Sequence, residues 1–427
     1  MERSTSELFP LETMELGNGL RVILQRDASV PLVAVHVSYL AGSRHDPLDR
    51  PGLAHLCEHL SYVRPPGEPG GNLARIVERS GGSVDARTSH DRTFFSSVVA
   101  REDLALALWA EATRMRSAGE GLDPRSLEQE QRVVVQEQRQ TADRAHGPAL
   151  ARIHECLYAE GHPYRRMPVG TPSGVSACTR ADVQGFFRAF YRPANAVLAV
   201  VGDFALEEER ERILGLFAEI DGASTAASEV SLTCDPIGAT AAHAMFDRVA
   251  SPRVYVAFRA DGFGSDDRIA LALLPKCLAL GEASPLHRRL VVARAAAEGV
   301  EATTVGMREA TTLALCATGP RDASAAPLAE ELIEAVDLAL AEPIPQDAVD
   351  RARAKTRTDF YAAAQYVDRR ADLLATWAAF RGDARGLERD VLRWSEVTPS
   401  DVEALAARLG RSGARSVVSV SPLSGAA

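Results

Sequence analysis

The sequence predicts an α+β protein built from two similar domains, each a mostly antiparallel or mixed sheet with helices packed on one face. Three observations carry this expectation. The chain has 427 residues, too many for one ordinary domain. Its halves echo each other: TRADVQGFFRAFYRPANAVLAVVGD starts at Thr179 and TPSDVEALAARLGRSGARSVVSVSP at Thr398, 219 residues on. Each has a Thr, an Asp-Val pair three residues later, an amphipathic helix and an apolar strand, so one unit is repeated at domain scale. A second echo has a similar offset: PLVAVHVSYLAG from Pro31 and PRVYVAFRADG from Pro252 both alternate apolar and polar positions, the pattern of half-buried strands. Strands gather early and late in each half with helices between them, which favours an antiparallel or mixed sheet. The seam falls in the Gly-, Ala-, Ser- and Thr-rich stretch 221–240. The expected division is a first domain over 1–225, a linker over 226–240 and a second domain over 241–427.

Along the first half, GLAHLCEHLSYV (52–63) places three titratable groups in an apolar run. On a helix His55 and His59 lie one above the other, Glu58 lies beside them, and Leu53, Leu56, Cys57 and Leu60 form the packing face. Two imidazoles at i and i+4 can share one zinc ion, and a nearby carboxylate that is not a ligand can take a proton from water. H-x-x-E-H is a known order for that chemistry. Two satisfied histidines beside a surface glutamate are the alternative, and the pentapeptide alone leaves both open.

A third ligand has to come from elsewhere. DPRSLEQEQRVVVQEQRQTADR (123–144) opens on Asp-Pro, an N-cap and first helical position. The helical wheel puts Leu127, Glu130, Val133, Val134 and Glu137 on one face and Gln129, Gln131, Arg132, Gln136 and Gln138 away from it. Two glutamates then sit on the inward stripe, where a carboxylate is costly unless it is paired or bound to metal. The bland alternative is a stripe that reaches the rim, with both glutamates solvated.

Composition narrows the function classes. The chain is 46% hydrophobic and 25% charged with net charge −10, and it has no block of basic residues, so nucleic-acid and anionic-membrane binding are disfavoured. No apolar run approaches bilayer length, and the N-terminus lacks a signal-peptide pattern. Six scattered cysteines (57, 156, 178, 234, 277, 316) without a C-x-x-C pair fit reduced thiols and a cytoplasmic setting.

With H-x-x-E-H followed by EQRVVVQE, the chain resembles the pitrilysin/insulinase family of zinc peptidases. LGNGLRVILQRDASVPLVAVHVSYLAGSRHDP, HPYRRMPVG and FYRPANAVLAVVGD are similar to further landmarks of that family, and the likeness covers nearly the whole first half. The resemblance implies one Zn2+ held by His55, His59 and Glu137, with Glu58 as the base and Glu130 supporting the site from behind. There are 77 residues between His59 and Glu137, close to the family spacing. VDARTSHDRTFFSS resembles the family's edge strand, so Asp85, Ala86, Arg87 and Thr88 are expected to bind peptide by strand addition. Asp85 stands where the family usually has Asn, which adds negative charge near the metal. The loop SYVRPPGEPGG after the zinc helix also departs from the family pattern.

Members of this length resemble the zinc-bearing subunit of mitochondrial processing peptidase and its short bacterial relatives, in which two chains enclose the substrate and a complementary chain often supplies an Arg and a Tyr. Here those residues would fall near Val291 and Glu298 in SPLHRRLVVARAAAEGVEATTVG, and neither is present; Arg288, Arg289 and Arg294 are out of register. The implied function is a zinc endopeptidase for short or unfolded peptides, paired as a heterodimer with an Arg/Tyr-bearing homologue. A self-sufficient homodimer and a non-catalytic scaffold subunit are the alternatives.

Overall fold

The computed structural model describes residues 10–63, 72–117, 119–120, 122–222, 240–411 and 414–423. Residues 226–239 of the expected linker and 64–71 of the loop after the histidine helix lie outside the described residues. The chain forms two compact units, each with its own sheet. The first comprises residues 1–138, 168–231 and 361–389, and the second 139–167, 232–360 and 390–427.

In the first unit six strands, β1 (Glu12–Glu15), β2 (Arg21–Arg26), β3 (Leu32–Tyr39), β4 (Ser83–Thr88), β5 (Thr93–Ala100) and β6 (Ala196–Gly202), are ordered β1-β2-β6-β3-β5-β4. All pairs are antiparallel except β2 with β6. The second unit repeats the plan with β7 (Ala241–Asp247), β8 (Arg253–Asp261), β9 (Gly299–Gly306), β10 (Ala310–Thr318) and β11 (Ser416–Pro422), ordered β7-β11-β8-β10-β9. Its single parallel pair, β11 with β7, is the counterpart of β2 with β6. This is the expected α+β architecture, and the echoed segments occupy equivalent places. Thr179 and Thr398 each begin a helix through the same capping box: Asp182 N–H donates to Thr179 Oγ1 at 3.2 Å and Asp401 N–H to Thr398 Oγ1 at 3.3 Å. The acid returns the bond in both cases, accepting from the Thr179 N–H at 2.8 Å and the Thr398 N–H at 2.7 Å. Each helix then leads to the strand beside the sheet's centre, β6 or β11.

The core of the first unit lies between its sheet and its helices. Val33, Val35, Val37 and Tyr39 of β3 pack there with Leu53, Leu56, Cys57 and Leu60 of the histidine helix (Leu53–Leu60) and with Leu127 and Val134. Alternation along β3 predicts a half-buried strand, yet every residue from Val33 to Tyr39 is buried. The reason is a helix from far along the chain, Val367–Arg381, which covers the opposite face of β3 and β6. Asp372 on that helix pairs with Arg92 at 2.7 Å and reaches His36 of β3 at 3.6 Å, and Arg370 pairs with Asp27 at 2.5 Å. The second unit has a matching helix, Gly147–Leu157, whose Ala149, Ile153 and Leu157 pack on Ala257, Ala314, Val418 and Val420. The compact units are therefore not the contiguous spans 1–225 and 241–427, because each sheet takes one covering helix from the other half of the sequence.

The His36 contact sets an acid limit on stability. Burial pushes the His36 imidazole down to about 4; Asp372 opposes that shift, while Arg92 and Arg114 add to it. Burial pushes Asp372 up, but Arg92 and His36 outweigh it and hold the carboxyl below its usual range. The unfolded chain therefore binds the His36 proton near its ordinary pKa of about 6.5, whereas the fold refuses it until about pH 4. Stability is full above that window and falls as pH drops through it, and protonation of Asp372 continues the loss at lower pH. Melting curves between pH 7 and 4.5 are expected to show a shallower acid slope for His36→Gln than for the wild type. Identical slopes would remove His36 as the cause.

Candidate metal centre

Several short-range constraints aim the histidine helix. Its N-terminus follows Gly52, whose φ of 102° is a left-handed conformation that favours glycine. A Cβ there would also meet Val175 Cγ2 at 2.7 Å. Asp46 caps the helix from six residues upstream, accepting from the N–H groups of Gly52 (2.7 Å) and Ala54 (2.8 Å). Gly170 packs so closely that a Cβ would lie 2.2 Å from the Pro51 carbonyl oxygen. Val169 and Gly170, the end of the landmark HPYRRMPVG, therefore lie against the start of the helix.

The glutamate helix runs Pro124–Ala142. Its inward stripe is Leu127, Gln131, Val134 and Gln138, one position away from the wheel assignment above. Val133 is instead 44% exposed, and Gln131 and Gln138 face inward. The half-buried Gln131 and the buried Gln138 are satisfied by donating to backbone carbonyls, Gln131 to those of Val175 and Cys178 (2.9 Å each) and Gln138 to that of Val169 (2.6 Å). Glu130 and Glu137 border this stripe, one turn to each side of Val134, and both reach the histidines.

Glu137 Oε2 lies 3.7 Å from His55 Nε2 and 3.5 Å from His59 Nε2. Ligands about 2.0–2.1 Å from one tetrahedral zinc stand about 3.3 Å apart, so these separations suit an ion shared by the three atoms. Behind His59, Glu130 Oε2 stands 3.3 Å from Nδ1, which places the ring proton there and leaves Nε2 as a lone-pair donor. His55 has no such support; its buried Nδ1 lacks a hydrogen-bond partner among the described residues. Glu58 also lies close, since its carboxylate and both imidazoles have ligand atoms within 4.8 Å of one another. Among the described residues, His55, Glu58 and His59 form the one cluster of His, Cys, Asp and Glu whose ligand atoms all lie within 4.8 Å of one another, with Glu137 reaching both imidazoles from the second helix.

Two carboxylates thus compete for the third ligand position, and their surroundings separate them. Glu58 is buried, and Thr88 Oγ1 donates to its Oε2 at 2.6 Å. Burial raises its pKa to about 7; the Thr88 bond and His59 oppose the shift, while Glu137 and Asp85 add to it. That value suits a group that takes and returns protons near neutrality. Glu137 has a side chain 46% exposed and faces both Nε2 atoms, which suits a ligand at a site open to solvent. Burial holds His55 down to about 4, with His59 adding to the effect. Burial also opposes protonation of His59, but the Glu130 hydrogen bond and the charges of Glu58, Glu130 and Glu137 outweigh it and raise its pKa. Three carboxylates around two imidazoles form a donor set that favours a cation. Cys57 takes no part: its thiol is buried in the core and pushed well above its usual range by burial, Asp46 and Cys178.

The expected peptide-binding residues lie on β4, at the edge of the first sheet. Asp85 and Arg87 are exposed, whereas Ala86 packs against the core. Thr88 turns its hydroxyl to Glu58, a contact that spacing along the sequence does not reveal.

Comparison with known proteins places these features. The model for Insulinase (Peptidase family M16) matches residues 21–166, which hold the whole centre, and the model for the Peptidase M16 inactive domain matches 177–356. The chain belongs to the insulinase family of peptidases. Within the family it is 26% identical over 402 residues to the zinc protease PqqE of Helicobacter pylori, covering 92% of this chain and 88% of that protein. It is 24% identical over 265 residues to a probable mitochondrial-processing peptidase subunit beta of Arabidopsis thaliana, covering 62% of this chain and 49% of that one. The crystal structure of a protease from Helicobacter pylori superposes with a TM-score of 0.88 at 24% identity, covering 97% of this chain and all (100%) of that one. The first half of the periplasmic protease PqqL from Escherichia coli shares the fold with a TM-score of 0.76 at 18% identity, covering 96% and 91%.

Proposed function

We propose that this chain is the zinc-bearing subunit of a heterodimeric endopeptidase that hydrolyses short or unfolded peptides. The chain is a metallopeptidase and zinc is its cofactor; the observation that carries the reading is the meeting of Glu137 with both His Nε2 atoms while Glu58, close to the same imidazoles, is held by the Thr88 hydroxyl. When bound, zinc supplies Lewis acidity at the scissile carbonyl. His55, His59 and Glu137 would hold it, and Glu130 fixes the tautomer of His59. Glu58 accepts a proton from the attacking water and delivers it to the leaving amine. β4, open at the sheet edge, offers main-chain groups to an extended peptide and so selects chain extension over sequence. The exposed Asp85 favours a basic residue there.

The pairing rests on what the second unit lacks. Where the family's Arg and Tyr would fall, Val291 packs against the core and Glu298 is exposed. Of the neighbouring arginines, Arg289 pairs with Glu342 and Arg294 with Glu331 and Glu334 (2.7 Å), while Arg288 is exposed and out of register. No described tyrosine between Tyr255 and Tyr361 can replace the missing one. A homologue without H-x-x-E-H would supply donors for the developing oxyanion. A scaffold role leaves the assembled centre without a purpose. The free state of all five described cysteines supports a cytoplasmic setting, which cell fractionation tests.

The experiment compares peptide turnover and solution mass of the purified zinc-loaded chain, alone and mixed with an Arg/Tyr-bearing homologue. Loss of an oxyanion donor typically costs about a hundredfold to a thousandfold, so the isolated chain is expected to be slower by that order and to recover on mixing. Full activity of the chain alone as a homodimer would remove the heterodimer and keep the peptidase.

A further inference from the structure

The two carboxylate oxygens of Glu58 have different surroundings. Oε2 accepts from Thr88 Oγ1 at 2.6 Å, a short bond typical of a hydroxyl on a charged acceptor. Oε1 has no hydrogen-bond partner among the described residues. Thr88 is braced in turn. Its hydroxyl oxygen lies in contact with Thr93 Oγ1 at 3.1 Å, and because Thr93 spends its own proton on the carbonyl of Ala41 at 2.8 Å, the Thr88 proton is left to Glu58. Thr88 and Thr93 face each other in register across β4 and β5, and Thr93 is fully buried. Both are β-branched and restricted at χ1, so the packed pair leaves the Thr88 hydroxyl little freedom beside Glu58. Alternation along β4 places Val84, Ala86 and Thr88 on one side; the first two pack against the apolar core, and only Thr88 carries a polar group to the histidine helix.

We propose that Thr88 is a positioning residue for the general base: it anchors Glu58 by Oε2, so that Oε1 is the oxygen presented to the attacking water. The proposal rests on the reading of Glu58 as the base. An unanchored glutamate side chain samples several staggered rotamers. A displacement of about 1 Å at a reacting group can cost about a hundredfold in rate. Thr88 also belongs to the strand that would receive the peptide. One six-residue strand would then align the substrate backbone and the base together.

The test uses the zinc-loaded enzyme in its active assembly, with Thr88→Val, which keeps shape and strand preference but removes the hydroxyl, and Thr88→Ser, which restores it. Thr88→Val is expected to lower kcat about tenfold to a hundredfold with KM within about twofold, and serine to recover to within about threefold of wild type. Zinc content should be unchanged in both. A crystal structure of the T88V protein is expected to show Glu58 in more than one rotamer. Wild-type kcat for T88V, or a single unchanged Glu58 rotamer, overturns the proposal. If T88V loses zinc or melts lower, Thr88→Ala against Thr88→Ser makes the same comparison, and equal kcat for those two overturns it. Glu58→Gln run alongside separates the two claims: an active E58Q enzyme removes the base itself, whereas an inactive one beside a normal T88V enzyme removes only Thr88.

Discussion

Replacing Glu58 with Gln is expected to abolish peptide cleavage, by about a thousandfold or more in kcat, while leaving about one zinc per chain. Glutamine keeps the size of the side chain and an oxygen that can accept from Thr88, so the helix and the Thr88 contact survive. What it loses is basicity. A carboxyl raised to about 7 is poised to hold or release a proton, and an amide does neither. The variant also discriminates between two ligand sets. Glu58 lies close enough to both imidazoles to act as a ligand itself. If it were one, E58Q would lose zinc along with activity; if it is the base, zinc stays and only turnover goes. Turnover at the wild-type rate in a clean preparation would remove Glu58 from both roles.

The clusters that form the candidate centre are legible in the sequence because each is local. His55, Glu58 and His59 share two helical turns, and Glu130 and Glu137 lie seven residues apart on one helix, so spacing brings out the two clusters, while the roles within them come from the family resemblance. The inward stripe of the glutamate helix differs by one position from the apolar pattern because inward-facing glutamines carry no apolar signal. Gln131 and Gln138 are tolerated inside by carbonyls of residues 169–178, and nothing in their own helix signals those acceptors. The supporting roles of Asp46 and Thr88 have no sequence signal for the same reason, since each acts across a loop or a sheet. The covering helices were the deeper omission. Amphipathic patterning marks a helix's buried face but not which sheet it will meet, and so the fully buried β3, with His36 beneath Asp372, read as half-exposed.

Glu137→Gln is expected to do the opposite of Glu58→Gln. Its carboxylate is the group that approaches both Nε2 atoms, at 3.5 and 3.7 Å, so the substitution takes the anionic donor from the ion while leaving both imidazoles in place. Two histidines alone make a weak zinc site, and removing the third protein ligand should weaken zinc binding on the order of a thousandfold. The fold should hold, because Glu137 is half exposed and the stripe beside it, Leu127, Gln131, Val134 and Gln138, is untouched. Competition against a calibrated chelator measures the affinity, and a melting curve without metal checks the fold. Excess zinc should then restore part of the activity to E137Q, where it can restore none to E58Q, since one protein lacks a grip on the ion and the other lacks a base. If E137Q instead binds zinc as tightly as the wild type, the third ligand is not Glu137. The rival set of His55, Glu58 and His59 would take its place, and the assignment of the base would fall with it.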